Sequence, residues 1–266
     1  MKNFETYQEN LNKSLKEKMF FLSHIDISSF DLIVDYGCGN GTMLKQLRIL
    51  APQATLIGYD HSKQMIDFCK SECAGLPINF TDSWRFIKEN LKPYKNKLII
   101  FSSVLHENTE KNQKMLIYTA MLSFDTVVIR DMRPPLNNEP ISNSTRKRVL
   151  KQVGPWQAQL FENKWGKITN KEQLYRFFLM NEFVDNFETE VEEDYFGVVW
   201  EEIDVILTSF GYLKFSENYT LPYRKKQVEK RFQHKMQDFT HRNAIYYKPV
   251  EEKNANQTTA SETTKC

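Results

Sequence analysis

One acid and three alternating glycines, Asp35-Tyr-Gly37-Cys38-Gly39-Asn-Gly41, stand together in a chain with only nine glycines among 266 residues. Glycine gives up the most freedom on folding. A cluster this tight therefore implies a sharp turn where a ligand lies against bare backbone. Further acids follow short apolar runs: Asp60 in GYDHSKQMI, Asp82 in FTDSW and Asp131 in IRDMRPP. His106, in SSVLHE, can exchange a proton near neutral pH, with Glu107 next to it. His106, Glu107 and Asp131 are the candidate catalytic groups. Asp131 and Arg133, which end the same apolar run, are also candidate substrate contacts.

The elements that must position these groups are legible as a rhythm. Apolar runs of strand length lie at 31–37, 54–60, 77–82, 97–103 and 125–131, and helical stretches separate them. Strands alternating with helices imply right-handed crossovers. The expected fold is therefore α/β, an open, mostly parallel, doubly wound sheet. Prolines in MRPPLNNEP break the rhythm, and a helical insertion after the fifth strand is expected. The expected organisation is an N-terminal helical segment (1–30), a ligand-binding core (31–133), a helical lid over the substrate (134–197), a return to the sheet (198–249) and a disordered polar tail (250–266). The lid contributes Trp156 and Tyr195 as candidate substrate contacts. Its aromatic stripe, with Phe177, Phe178, Phe183 and Phe187, reads as packing more readily than as pocket lining.

The glycine turn separates three phosphate or nucleotide motifs. The dinucleotide fingerprint G-x-G-x-x-G needs its third glycine where Thr42 stands. A P-loop needs a Gly-Lys-Ser/Thr ending, which is absent. An acid followed by G-x-G-x-G resembles motif I of the class I S-adenosylmethionine-dependent methyltransferases. The resemblance extends through residues 15–133 and plausibly 198–248. It implies the Rossmann-like fold and S-adenosylmethionine as cofactor. It also implies that Asp35, Gly37, Cys38, Gly39 and Gly41 cradle the cofactor, that Asp60 bridges its ribose hydroxyls with His61, Ser62 and Met65 alongside, and that Asp82 accepts from its adenine amine. Ser83, Trp84 and Ser102 complete the implied cofactor set. The Asn/Asp-Pro-Pro-aromatic motif of base-amine methylation and a Pro-Cys nucleophile are both missing.

The acceptor is read from charge and enclosure. The chain carries a net charge of +2, spread unevenly. Residues 182–204 hold ten acids and no lysine or arginine, whereas 221–248 hold eight basic residues against two acids. A helical lid favours a small-molecule acceptor. The basic stretch favours RNA or another polyanion. A non-catalytic S-adenosylmethionine-binding protein is the third reading, and a dehydrogenase is the weakest. The four cysteines form no CxxC pair and the histidines show no ligand spacing, so no metal is expected. No apolar run is long enough to span a membrane, and a cytoplasmic location is expected.

Overall fold

The computed structural model describes residues 14–181 and 187–249. The expected segment over 1–13, Phe183 and the tail at 250–266 lie outside the described residues. The described residues open with α1 (Leu15–Lys18) and two short 3-10 turns. Then come β1 (Leu32–Tyr36), α2 (Thr42–Leu50), β2 (Thr55–Tyr59), α3 (Lys63–Glu72), β3 (Ile78–Thr81), α4 (Trp84–Glu89), β4 (Lys97–Ser102), α5 (Glu110–Ser123) and β5 (Thr126–Met132). An insertion follows with α6 (Asn143–Leu150), α7 (Pro155–Trp165), α8 (Lys171–Met180) and α9 (Phe187–Glu190). The chain closes with α10 (Trp200–Ser209), β6 (Leu213–Tyr219), α11 (Pro222–Phe232) and β7 (His241–Tyr247).

The seven strands form one open sheet in the order β3-β2-β1-β4-β5-β7-β6. β1 to β5 run parallel, and β7 pairs antiparallel with both β5 and β6. Strand order reverses between β1 and β4, and the crevice beyond their carboxyl ends is where ligands of such sheets bind. The strands are apolar on both faces because helices cover both. Ile33, Leu98, Ile100 and Val128 pack with Leu44, Ile66 and Phe21 on one side. Leu32, Val34, Ile99 and Phe101 pack with Ile117 and Ile203 on the other.

A third cluster joins the insertion to a later helix. Val149, Phe161, Phe177, Phe178 and Phe187 come from the insertion, and Val228 and Phe232 come from α11. These two sit four residues apart on a helix otherwise rich in lysine and arginine. Their buried stripe packs with the insertion. The aromatics Phe177, Phe178 and Phe187 are core residues at no more than 1% exposure.

Packing around β2 tolerates little. A Cβ on Gly58 would stand 2.7 Å from the Phe80 ring and 2.8 Å from a Leu44 methyl. Gly58→Ala is expected to cost about 1–3 kcal/mol through overpacking, read as a lower urea midpoint with unchanged slope.

Candidate active site

The tip of β1 runs directly into the glycine turn, which β2 holds in place. The Gly37 and Cys38 amides donate to the Tyr59 carbonyl at 2.8 and 2.9 Å. Gly37, Gly39 and Gly41 all take positive φ (78°, 50° and 71°), a region where only glycine is at ease. Gly37 is also needed for space, since a Cβ there would meet a Val104 methyl at 2.6 Å. Gly41 serves packing instead, beneath Phe80 and Cys69. Asp60, at the tip of β2, accepts from the Gly39 amide at 3.1 Å and from the Ser62 amide at 2.9 Å. Ser62 caps α3 through the Met65 amide. Asp60 thus fixes the turn, and each of its oxygens keeps a lone pair for a further donor.

A cavity of about 390 Å³ opens beside this turn. Among the expected residues, Asp35, Gly37, Cys38, Gly39, Asp60, His61, Met65 and Ser102 line it, together with His106, Glu107 and Tyr195. Asp35 is 1% exposed, and neither of its carboxylate oxygens has a hydrogen-bond partner. Burial pushes its carboxyl up to about 7, against the pull of Lys18 and with help from Asp60. A buried acid without a donor is costly, and an incoming ammonium would relieve it.

Asp82, Ser83 and Trp84 are not drawn into the cavity. Asp82 is exposed at the tip of β3, and Ser83 caps α4 by accepting from the Phe86 amide. Trp84 packs edge-on against Tyr36 and Tyr59, with centroids 5.1 and 5.7 Å apart. Trp156 also lies elsewhere, half exposed against Phe187. Arg133 lines a neighbouring cavity and donates to Asn218 at 2.9 Å.

Asp131 contacts no cavity, being 0% exposed. It is a positioning residue, which corrects its reading as a catalytic or substrate group. One of its oxygens accepts from the Val104 and Leu105 amides at 3.1 and 2.9 Å. The other holds His106 Nδ1 at 2.7 Å. His106 Nε2 is left facing Glu193 at 3.7 Å, and the Tyr195 ring stands edge-on at 5.7 Å. Burial opposes charge on His106, but Asp131 outweighs it, supported by Glu193 and Glu107, and the imidazole rises to about 10. The resting ring therefore keeps its proton at neutral pH. It can donate a hydrogen bond and present charge, but it is not the neutral-pH base expected from its type. Tyr195 donates to Glu190.

The sequence reading missed Lys18, Arg130, Arg224, Glu190, Glu193 and His241, all of which line the same cavity. Arg130 did leave a signal, as a charge inside an otherwise apolar strand. Lys18 left none.

These features fit S-adenosylmethionine: bare backbone, an orphaned carboxylate for its ammonium, and Asp60 for its vicinal hydroxyls. A family model described as a methyltransferase domain matches residues 27–254. The chain belongs to this methyltransferase family. Among solved structures, the methyltransferase resembles an O-methyltransferase family protein from Burkholderia thailandensis, with TM-score 0.50 and 14% identity over 90% of this chain and 57% of that one. It spans little more than half of that protein's length. A magnesium protoporphyrin IX methyltransferase from Synechocystis PCC 6803 matches with TM-score 0.48 and 13% identity, over 89% of this chain and 83% of that one. The 235L protein of Invertebrate iridescent virus 6, which carries a methyltransferase name, is 26% identical over 80 residues, or 30% of each chain. At 14% identity the Burkholderia thailandensis structure speaks for the fold alone. Among the described residues there is no cluster of His, Cys, Asp or Glu that could hold a metal, and no helix long and apolar enough to cross a membrane.

Asp35 yields a signed test. It holds a proton in the folded chain that the unfolded chain releases between pH 3.8 and about 7, so its ionisation lowers stability as pH rises through that window. Asp35→Asn is expected to flatten this loss, of which roughly 3 kcal/mol falls between pH 5 and about 7 at 1.36 kcal/mol per pH unit. Denaturant melts of both proteins at pH 5 and pH 8, without ligand, measure it. The same variant should bind S-adenosylhomocysteine more weakly.

Proposed function

We propose that this methyltransferase transfers the methyl group of S-adenosylmethionine to a small molecule enclosed beneath the lid. The cofactor supplies an already activated methyl on a positive sulfonium. The chain's own residues then have mainly to position the acceptor, and alignment is the chief source of rate. Asp35 would take the cofactor's ammonium, and Asp60 its ribose hydroxyls. Asp82, exposed beside the tip of β2, would accept from the adenine amine outside the enclosed part. Val104 and the glycine turn close the floor. His106, held by Asp131, would orient an acceptor oxygen or nitrogen through its Nε2 proton. Glu107, which desolvation and the nearby carboxylates raise to about 7 against the pull of His106, is the group placed to receive a proton near neutral pH.

The observation that carries this reading is continuity. One cavity runs from Asp35 and Gly39 to His106, Tyr195 and Glu193 beneath the lid. Donor and acceptor would share a single enclosed space from which water is excluded.

Charge argues against the RNA reading. The adjoining cavity is lined by Glu107, Glu110, Glu192, Asp194, Glu201 and Glu202, which would repel a phosphate backbone. The arginines of the basic stretch are engaged within the fold. Arg242 pairs with Asp204 at 2.8 Å and stacks over Trp200, Arg231 donates to the Asn181 carbonyl at 2.6 Å, and Arg224 lines the interior cavity. Arg146, in the other basic run, pairs with Glu162.

Labelled methyl transfer to a fractionated cell extract tests the function. Label is expected in the small-molecule fraction and should survive nuclease; label lost to nuclease restores RNA, and binding without any transfer favours a sensor. The His106 ring supplies a separate check by NMR. It is expected to stay protonated through neutral pH and to titrate near 10, with Asp131→Asn bringing the midpoint down.

A further inference from the structure

Arg130 is a buried cation without a counter-ion. It is 2% exposed, yet it lines the cavity. One of its Nη groups donates to the Ser103 hydroxyl, and its guanidinium faces the Tyr219 ring at 5.8 Å. Its Nε has no hydrogen-bond partner, and no carboxylate among the described residues lies within ion-pair distance of it. A guanidinium removed from water without an anion costs several kcal/mol. The strands could have accommodated an apolar residue here, as they do at Val128 two residues earlier.

The surroundings concentrate positive charge at this end of the cavity. Lys18 comes from α1 and Arg224 from α11; Arg130 and Arg224 both act electrostatically on Lys18, and both act on Tyr219 and His241. His241, on β7, is held neutral by burial and by those two guanidiniums, and its Nδ1 lies 2.8 Å from the Thr240 hydroxyl. Ser102, paired in register with Arg130, also points an unpartnered hydroxyl into the buried wall. Asp35 acts on Lys18 from the glycine turn, but no carboxylate among the described residues pairs with Arg130. Asp60 braces the turn, Glu193 faces His106, and Glu190 accepts from Tyr195.

We infer that the acceptor is an anionic small molecule, and that its carboxylate or phosphate docks on Arg130, with Ser102, Lys18 and Arg224 around it. This rests on the methyltransferase reading above and names the acceptor class for that site. The docked anion would anchor one end of the acceptor on β5 while its nucleophilic atom lies toward His106 and the cofactor. A planar fork of donors suits either anion, and a carboxylate can be held in two-pronged fashion. The cofactor's own carboxylate shares this chemistry, and Lys18, which acts on both Asp35 and Arg130, is placed closer to it.

The test follows the Arg130 Nε–H resonance, assigned by its absence in Arg130→Lys. Protein saturated with S-adenosylhomocysteine is titrated with acetate, inorganic phosphate and acetamide. Acetate or phosphate is expected to shift the resonance and acetamide to leave it, and the more effective anion names the acceptor's charged group. No shift with either anion, or an equal shift with acetamide, overturns the inference. A shift produced by S-adenosylhomocysteine itself, but not by 5′-methylthioadenosine, also overturns it by assigning Arg130 to the cofactor. In the extract assay the labelled product should be retained by an anion exchanger at neutral pH. Arg130→Met should lower kcat/KM for it roughly ten- to a hundredfold while S-adenosylhomocysteine binding persists. Failure of S-adenosylhomocysteine to bind at all would instead sink the methyltransferase reading.

Discussion

The Asp131 carboxylate is the interaction on which the site depends. It is fully buried and accepts from backbone amides at 104 and 105, from its neighbour Met132 at 2.7 Å and from the His106 ring. These bonds fold the segment after β4 back across the top of β5. Ser103 is forced to a positive φ of 57°, a strained setting for a residue with a side chain, and the Arg130 carbonyl secures it at 2.7 Å. Val104 is thereby pressed against Gly37, which explains why a glycine is required there. One carboxylate therefore fixes the acceptor-side histidine and, through Val104, the shape of the cofactor turn.

The parts of this arrangement that were legible in the sequence are those written locally. Strand-to-helix alternation and the alternating glycines need only neighbouring residues to be recognised. Asp60 followed a readable strand, and the structure places it against the glycine turn. Asp131 was also singled out, but its role depends on amides 26 and 27 residues away, and no spacing rule exposes that. Lys18 reaches the cavity only because α1 folds over the sheet. Trp156 illustrates the opposite case: a chemically suitable side chain that the packing leaves half exposed, away from the cavity. The basic run at 221–248 looked like a phosphate-binding surface in one dimension. In three, its arginines turn to Asp204, a helix-end carbonyl and the cavity interior.

Charge is unevenly shared between the two cavities. Glu110, Glu192, Asp194, Glu201 and Glu202 line the adjoining one, whereas Arg130, Lys18 and Arg224 line the first beside Asp35 and Asp60. Gathering like charges costs self-repulsion. Pairing elsewhere partly offsets it, as where Arg176 joins Asp194. The cost makes sense for a cavity shaped around a ligand of mixed charge, in which Asp35 and Arg130 each await an opposite partner.

The roof over this space is woven from two stretches far apart in the chain. Phe161, Phe177 and Phe178 from one interlock with Val228 and Phe232 from the other, while Trp200 ties its indole to the Met132 carbonyl at 3.0 Å. A trapdoor swinging on a single hinge would have to rip that aromatic seam apart. Replacing one stretch would demand a matching change in the other.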